Sequence, residues 1–419
     1  MRNTNILFII YLFSGIGLSI FPPLFPSICR KYKISKPLIG LIISIFSLPN
    51  IFPSSCDNSF TKKVSKNKLL IFATFLEATC ILLYGFLPLI KSFNIFFSLI
   101  LITRIVHGII SRIINTSVHS LTISLSNPLE IQQIYGNLEK AWYLGIIIGP
   151  IFASIFYKLG GCNLPFMALG IFLYLSVFLS TQINKEMNLS NETIQINYHQ
   201  IVRYIRHSEI IVILGAFFYG YISQSFFYPC LTEYVEKNLN LSVSISYLCF
   251  AIISLSYYIV LQNLDSFNKK YGFYGAVFIG ILMIGLGVLM ICWHPLPSKS
   301  IIFTFLGFAF IGGGTSLIFI PALFILALSI TNVDFNLDDQ VSNQITSSLH
   351  LFISNFGDFC GPIIGGMISS YLGFKFCCLV ISLIGLFYCA FFFVYFNKKI
   401  IEDWKTKNDL ILDKKTKIN

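Results

Sequence analysis

Apolar runs of about 20 residues recur along almost the whole chain, parted by short polar joints. This alternation restricts the fold more than any other feature. Each run is long enough to cross a bilayer as a helix, and in hydrocarbon every backbone N–H and C=O must be satisfied within its own segment. Of the 419 residues 55% are hydrophobic and only 11% charged. A water-soluble domain does not cover that much apolar surface, and an outer-membrane barrel would show short alternating strands instead. The pattern predicts an all-α membrane protein.

Twelve transmembrane helices are expected, at about 6–28, 37–55, 68–90, 95–124, 132–158, 164–183, 209–231, 243–262, 274–293, 300–330, 342–370 and 375–396. The first run, "ILFIIYLFSGIGLSIFPPLF", exceeds a signal-peptide core and lacks a cleavage site, so it reads as a retained helix. The longest polar interval divides the chain into an N-terminal six-helix half (1–183), a cytosolic linker (184–208), a C-terminal six-helix half (209–397) and a basic cytosolic tail (398–419). With a cytosolic N-terminus, about 17 Lys and Arg fall on the cytosolic side and about nine on the other, which favours both termini in the cytosol. Four of those nine lie in "RKYKISK" at 30–36. Asn240 stands in an N-x-S sequon on the outer side, while the sequons at Asn188 and Asn191 would face the cytosol.

The formal charge of +11 is spread over short loops and the tail. It forms no basic face of the kind that binds nucleic acid. The 11 cysteines are scattered through apolar runs with no C-x-x-C pair, and the six histidines form no H-x-x-H box. Neither pattern calls for a metal, a disulfide framework or a cofactor.

An internal repeat joins the halves. "LGIIIGPIFASIFYKLGG" at 144–161 aligns with "FGDFCGPIIGGMISSYLG" at 356–373. Gly145, Gly149, Pro150, Ala153 and Gly161 fall on Gly357, Gly361, Pro362, Gly365 and Gly373 at one offset of 212 (357 − 145). The fifth helix thus matches the eleventh, as expected of two pseudo-symmetric halves with a transport site between them. Gly145, Gly149 and Ala153 also form a small-x-x-x-small row, which lets another helix approach closely.

A charged side chain inside a bilayer costs at least about 2.5–3.5 kcal/mol, so each one needs a reason. On the fourth helix Arg104, Gly108, Ser111, Arg112, Asn115, His119 and Thr122 share one stripe about 100° wide, which must face a wet cavity or a partner helix; His107 lies to one side. Arg104 suits an ion pair with Glu77 or Glu139, or a direct role with substrate or proton. His119 suits either a structural hydrogen bond or titration. Glu139 shares its face with Gln132, Tyr143 and Pro150. It is a candidate for the cavity or for pairing with Arg104 or Arg112, whereas Lys140 can snorkel to the interface. Asp358 is a second candidate acid, on a face with Gln344, Ser347 and Ser354. Glu77 ranks lower, with only Thr74 and Thr79 polar nearby. Trp142, Tyr143, Tyr219 and Tyr228 offer rings to a cation.

These residues resemble the major facilitator superfamily. "RIVHG" (104–108) looks like its fourth-helix arginine motif, and the G-x-x-x-G-P of the fifth helix looks like its antiporter motif, with Gly145, Gly149, Pro150, Gly357, Gly361 and Pro362 as packing and gating residues. "GPIFASIFYKLGGCNLPF" (149–166) is similar to the vesicular amine transporter family through Gly149, Pro150, Ala153, Tyr157, Gly161, Pro165 and Phe166, and "LE" at 138–139 resembles its polyamine-handling branch. The sequence departs from the superfamily pattern in two loops. Asn58 and Ser65 stand where the loop after the second helix normally has glycines, and Lys62 where it has an acid. In the loop before the ninth helix Gly272 is kept, but Lys269 replaces the acid. Leu351 stands where the monoamine and acetylcholine branches carry an acid.

The resemblance implies a secondary active transporter exchanging protons for an organic cation, polyamine or amine-like, by alternating access. It implies a monomer in a vesicular, endolysosomal or plasma membrane. The loop departures keep open a non-transporting receptor or scaffold of the same fold, or a facilitator of another small solute. No catalytic constellation can be assembled, which argues against an enzyme.

Overall fold

A computed structural model describes residues 2–51, 65–125, 131–183, 203–292, 301–334 and 338–416. Asn58, Lys62, both sequons at 188 and 191, and the side chain of Gln132 lie outside the described residues. The described residues form helices joined by short turns, and ten of the helices are long and apolar enough to cross a membrane. They are α1 (Arg2–Lys31), α4 (Lys66–Phe86), α5 (Phe93–Leu125), α6 (Ile131–Gly160), α7 (Asn163–Ser180), α10 (Val243–Gln262), α11 (Leu264–Cys292), α12 (Ile301–Val333), α13 (Asp339–Leu372) and α14 (Phe374–Thr416). The second and seventh expected spans are interrupted. One is α2 (Lys36–Ser44) plus α3 (Leu48–Ile51); the other is α8 (Ser208–Ser225), followed after a break by the short, largely buried helix α9 (Leu231–Lys237). Together they complete the twelve-helix architecture.

Proline explains the break after α2. Pro49 has no N–H to donate back to Ile45, so the chain tightens around it into i→i−3 bonds: Ser47 N–H to Ser44 O, Leu48 N–H to Ile45 O and Asn50 N–H to Ser47 O. Ser47 N–H would otherwise have served Ile43 O. The seventh span breaks over 226–230, around Pro229. Pro22, Pro23 and Pro26 of α1 interrupt no helix.

The repeat survives in three dimensions. Gly161 and Gly373, its last members, both take positive φ (72° and 85°). Each closes its helix with the same bond, Gly161 N–H to Tyr157 O and Gly373 N–H to Ser369 O. That is how a helix ends on a residue without a Cβ.

The chain forms two compact units, and they do not follow the sequence halves cleanly. The first comprises 1–192, 228–254 and 362–367; the second comprises 193–227, 255–361 and 368–419. In the first unit the core holds Phe21, Phe25, Tyr84, Phe96 and Phe166, all fully buried. Here α6 lies directly on α1. A Cβ on Gly145 would strike Leu12 O and Gly15, and one on Gly15 would come 2.6 Å from Trp142 O. In the second unit the same row lies on α8, with Gly357 against Tyr221 and Gly361 against Ser225. A further seam in this unit is reciprocal: Gly280 of α11 faces Gly314 O of α12, and Gly287 faces Gly307 O, each as close as 2.7 Å to an added Cβ. Small residues at these spacings let van der Waals packing hold helices together where lipid supplies no hydrophobic drive.

Candidate functional site

The polar stripe of α5 splits into two sites in the first unit. Its lipid side is set by the exposed Ile95, Leu99, Ile102 and Ile109, so the stripe itself is turned inward. At one end the stripe clasps the broken second span. Arg104 is 3% exposed; it donates Nε to Ile42 O (3.3 Å) and Nη2 to Ile43 O (2.7 Å). Gly108 lets Phe46 O come into direct contact with α5, and Arg112 donates Nη1 to Pro49 O at 3.4 Å. These are carbonyls that the break strips of helical partners, at a helix C-terminus where a cation is favoured. The guanidinium carbon also lies 4.0 Å from the Phe21 ring centre and 4.7 Å from that of Phe46. Among the described residues Arg104 makes no ion pair with Glu77 or Glu139. Its partners are backbone carbonyls.

Beside Arg104, on the flank of α5, four side chains meet that come from three helices. Ser14 Oγ of α1 donates to Glu77 Oε2 of α4 at 2.7 Å. Glu77 Oε1 is 3.9 Å from His107 Nε2 of α5, and His107 Nδ1 is 3.2 Å from the Tyr84 hydroxyl of α4. None of the four is more than 3% exposed.

The other end of the stripe borders a ring cluster. The Tyr11 hydroxyl lies 3.2 Å from His119 Nε2, and the Tyr11 ring is 4.9 Å from the Trp142 ring. Asn115 Oδ1 is buried with no partner among the described residues. On α6 the lipid stripe is Leu144, Ile148, Ile151, Ile155 and Leu159, all exposed. Glu139 is exposed too, but about 140° around the helix from Leu144, at the head of a row that continues through the half-buried Tyr143 and Ile146. No hydrogen-bond donor or cation among the described residues reaches its carboxylate.

The second unit holds the remaining candidates. Asp358 is half-buried and also has no hydrogen bond or ion pair among the described residues. It lies nearly in line with Leu351, which is 58% exposed. Leu351 is also the position that the repeat offset pairs with Glu139 (351 − 139 = 212). The Tyr221 hydroxyl is 3.2 Å from His350 Nε2. Tyr219 is buried against Gly385 and so is closed to a ligand in this conformation.

The model of the Major Facilitator Superfamily matches residues 7–333. The chain belongs to that superfamily. It is 23% identical to the MFS-type transporter SLC18B1 of Homo sapiens over 383 residues, 88% of this chain and 82% of that protein. It is 24% identical to Multidrug resistance protein 2 of Bacillus subtilis (strain 168) over 187 residues, 45% of this chain and 44% of that one. Two solved structures share the fold at low identity. A bacterial homolog of the human lysosomal transporter Spinster, inward-facing and occupied, is 12% identical and gives a TM-score of 0.73 over 96% of this chain and 97% of its own. The nucleoside transporter NupG is 13% identical and gives 0.71 over 94% and 98%. The family match and the likeness to SLC18B1 bear out the superfamily resemblance read from the sequence, and the two solved structures share its fold.

With the superfamily established, one departure gains a structural counterpart. Gly272 keeps its positive φ of 75°, and the Asp403 carboxylate of α14 packs directly on it. A carboxylate thus stands beside the loop that lost its own acid to Lys269. One turn before Asp403 on α14, Lys399 Nζ donates to Glu209 Oε1 at 2.7 Å. The same oxygen accepts from Ser329 Oγ (2.9 Å) and the Tyr274 hydroxyl (3.0 Å), tying α8, α11, α12 and α14 together. Sequence reasoning missed this cluster because its members lie up to 190 residues apart. It also set aside His107, which falls off the α5 stripe, and ranked Glu77 low because Glu77 finds its partners on other helices.

Proposed function

We propose that this superfamily member is a secondary active transporter that exchanges protons for an organic cation, of polyamine or amine type, by alternating access. One observation carries the reading: Glu139 is an exposed carboxylate in a membrane helix, off the lipid stripe, with no partner among the described residues. Such a group is costly in a membrane unless a ligand or a proton meets it. A substrate ammonium is its natural complement. Trp142 and Tyr143, one turn further along α6, and Tyr11 beside Trp142 add ring faces suited to a cation. His119 and Asn115 supply polar contacts on the facing helix, Asp358 a second acid, and Arg104 and Arg112 hold the second span in place. The rows Gly145–Gly149–Pro150 and Gly357–Gly361–Pro362 act as packing and gating seams. The excess of basic residues favours both termini in the cytosol, and the resemblance to the vesicular amine transporter family suits a vesicular, endolysosomal or plasma membrane, with the protein working as a monomer.

The test is uptake of labelled polyamines and monoamines into proteoliposomes with an imposed pH gradient. Gradient-dependent uptake that Glu139→Gln abolishes is the expected result. No uptake of any amine in either gradient direction, with the protein folded and correctly inserted, overturns the reading in favour of a non-transporting relative.

A further inference from the structure

We propose that the buried Glu77–His107 pair is a proton-binding site: one proton, held by the pair as imidazolium facing carboxylate, clasps α4 to α5 in this conformation and leaves when the pair reopens. Glu77 and His107 are each 1% exposed and stand on neighbouring helices, 3.9 Å apart at their nearest atoms. That separation is too long for a hydrogen bond and short enough for an ion pair. Both flanking bonds tolerate either protonation state. Ser14 donates to Oε2, which accepts whether or not Oε1 carries a proton. The Tyr84 hydroxyl at Nδ1 can donate to a neutral imidazole or accept from a charged one. Neither flanking bond is lost on protonation, so what the added proton changes is the charge that His107 presents to the Glu77 carboxylate across the gap.

The surroundings agree. Arg104, one turn before His107, bonds the carbonyls of Ile42 and Ile43 through Nε and Nη2, keeps a buried Nη1 without a hydrogen-bond partner among the described residues, and brings one fixed positive charge. The Glu77 carboxylate balances that charge with His107 neutral, and one added proton is the next available state. The other titratable groups nearby are Cys80 and Tyr84 on α4 and Tyr174 on α7, whose hydroxyl is 2.9 Å from Thr79 Oγ1. From α1 comes Ser14, and from the break after α2 comes the Phe46 ring, edge-on to His107 at 5.1 Å. The site therefore touches two elements with work elsewhere in the unit: α1, on which α6 and Glu139 ride, and the broken second span. All four polar side chains are sealed from solvent, so proton exchange requires this contact to open.

The use of this proton in transport rests on the proposed antiport; its existence does not. The full-length protein in lipid nanodiscs is titrated without substrate and followed by infrared difference spectroscopy. The expected result is a carboxylate band and an imidazole band that change together. Glu77→Gln should remove the coupled pair, Glu77→Asp restore it, and His107→Asn displace the carboxyl band along the pH axis, while Glu139→Gln leaves the pair in place. A pair of bands unchanged in a folded Glu77→Gln protein, or no such pair in the wild type, overturns the proposal. In proteoliposomes Glu77→Gln should keep exchange of labelled for unlabelled amine and lose its acceleration by a pH gradient. A wild type indifferent to the gradient would sink the antiport reading and leave the site to be judged by its spectrum.

Discussion

The second and eighth spans stand at matching places in the two halves, and they are built differently. The second breaks at Pro49, and Arg104 of the fourth span caps the carbonyls the break exposes. The eighth, α10, contains no proline and runs unbroken for 20 residues; the tenth span, α12, carries no charged residue at all. The buried arginine is thus coupled to the broken helix: where the backbone keeps its own bonds, no cation is needed. The seams differ in the same spirit. In the first unit glycine meets glycine, Gly145 on Gly15, whereas in the second Gly357 meets Tyr221. Glu139 on the first seam helix matches Leu351 on the second. The first half therefore carries the clasp on a broken helix and an unpartnered acid, Glu139, on its seam helix at the position where the second half has Leu351. The second half keeps its own unpartnered acid, Asp358, further along the same helix as Leu351, and ties its helices through Glu209 and Lys399 instead.

Breaking this asymmetry should have graded effects. The largest is expected for Glu139→Gln, which should lower gradient-driven amine uptake more than about tenfold, the factor that corresponds to about 1.4 kcal/mol of lost cation attraction. Leu351→Gln, at the matching position, should leave uptake within about twofold, a change of about 0.4 kcal/mol on the same scale. Equal losses in both would erase the distinction between the halves. Next come the seams. Gly145→Ala drives a methyl into the backbone at Leu12 O, and should destabilise by about 1–3 kcal/mol in thermal unfolding of the detergent-solubilised protein. Gly357→Ala, facing the side chain of Tyr221, should cost less, and the reverse order would contradict the reading of the two contacts. Arg104→Met strips two buried carbonyls of their donors, about 1–3 kcal/mol, and should be milder when Pro49→Ala lets the helix bond itself.

The smallest effect concerns the ion pairs around α9. Glu233 meets Lys36 at 3.1 Å and Lys237 at 2.8 Å, and Arg30 pairs with Glu236. Burial raises the Glu233 carboxyl, but the two ammonium groups outweigh it and hold it below the ordinary carboxylate range. Because the folded value is lowered, the contribution is complete above the ordinary range and fades as pH falls through the lowered one. Glu233→Gln should remove that acid-side slope from the melting temperature while costing about 0.5 kcal/mol or less at neutral pH, as befits a partly exposed pair.

Much of this was legible in one dimension. The twelve spans follow from apolar run length. The glycine seams follow from spacing along one helix, because the side that packs closely must carry small residues wherever its partner lies. The offset of 212 residues even anticipated the matching helix ends at Gly161 and Gly373. The stripe on α5 was visible for the same reason, as were the acids Glu139 and Asp358. What met the stripe was not. Arg104 found backbone carbonyls, which carry no side-chain signature, and its need for them arose from a proline 55 residues earlier (104 − 49). Glu77 and His107 each look isolated on their own helices, since a membrane helix reveals its own faces but not the face opposite.

The division has a physical cause. Local rules fixed by the bilayer (length, apolarity, backbone satisfaction and small-residue spacing) act within a segment, so the sequence by itself determined the helices, their number, their seams and the charges that needed explaining. Pairing between segments depends on rotation and depth, which only packing sets. The tertiary structure therefore decided that Arg104 clasps a broken helix, that Glu77 meets His107, and that Glu139 has no partner among the described residues.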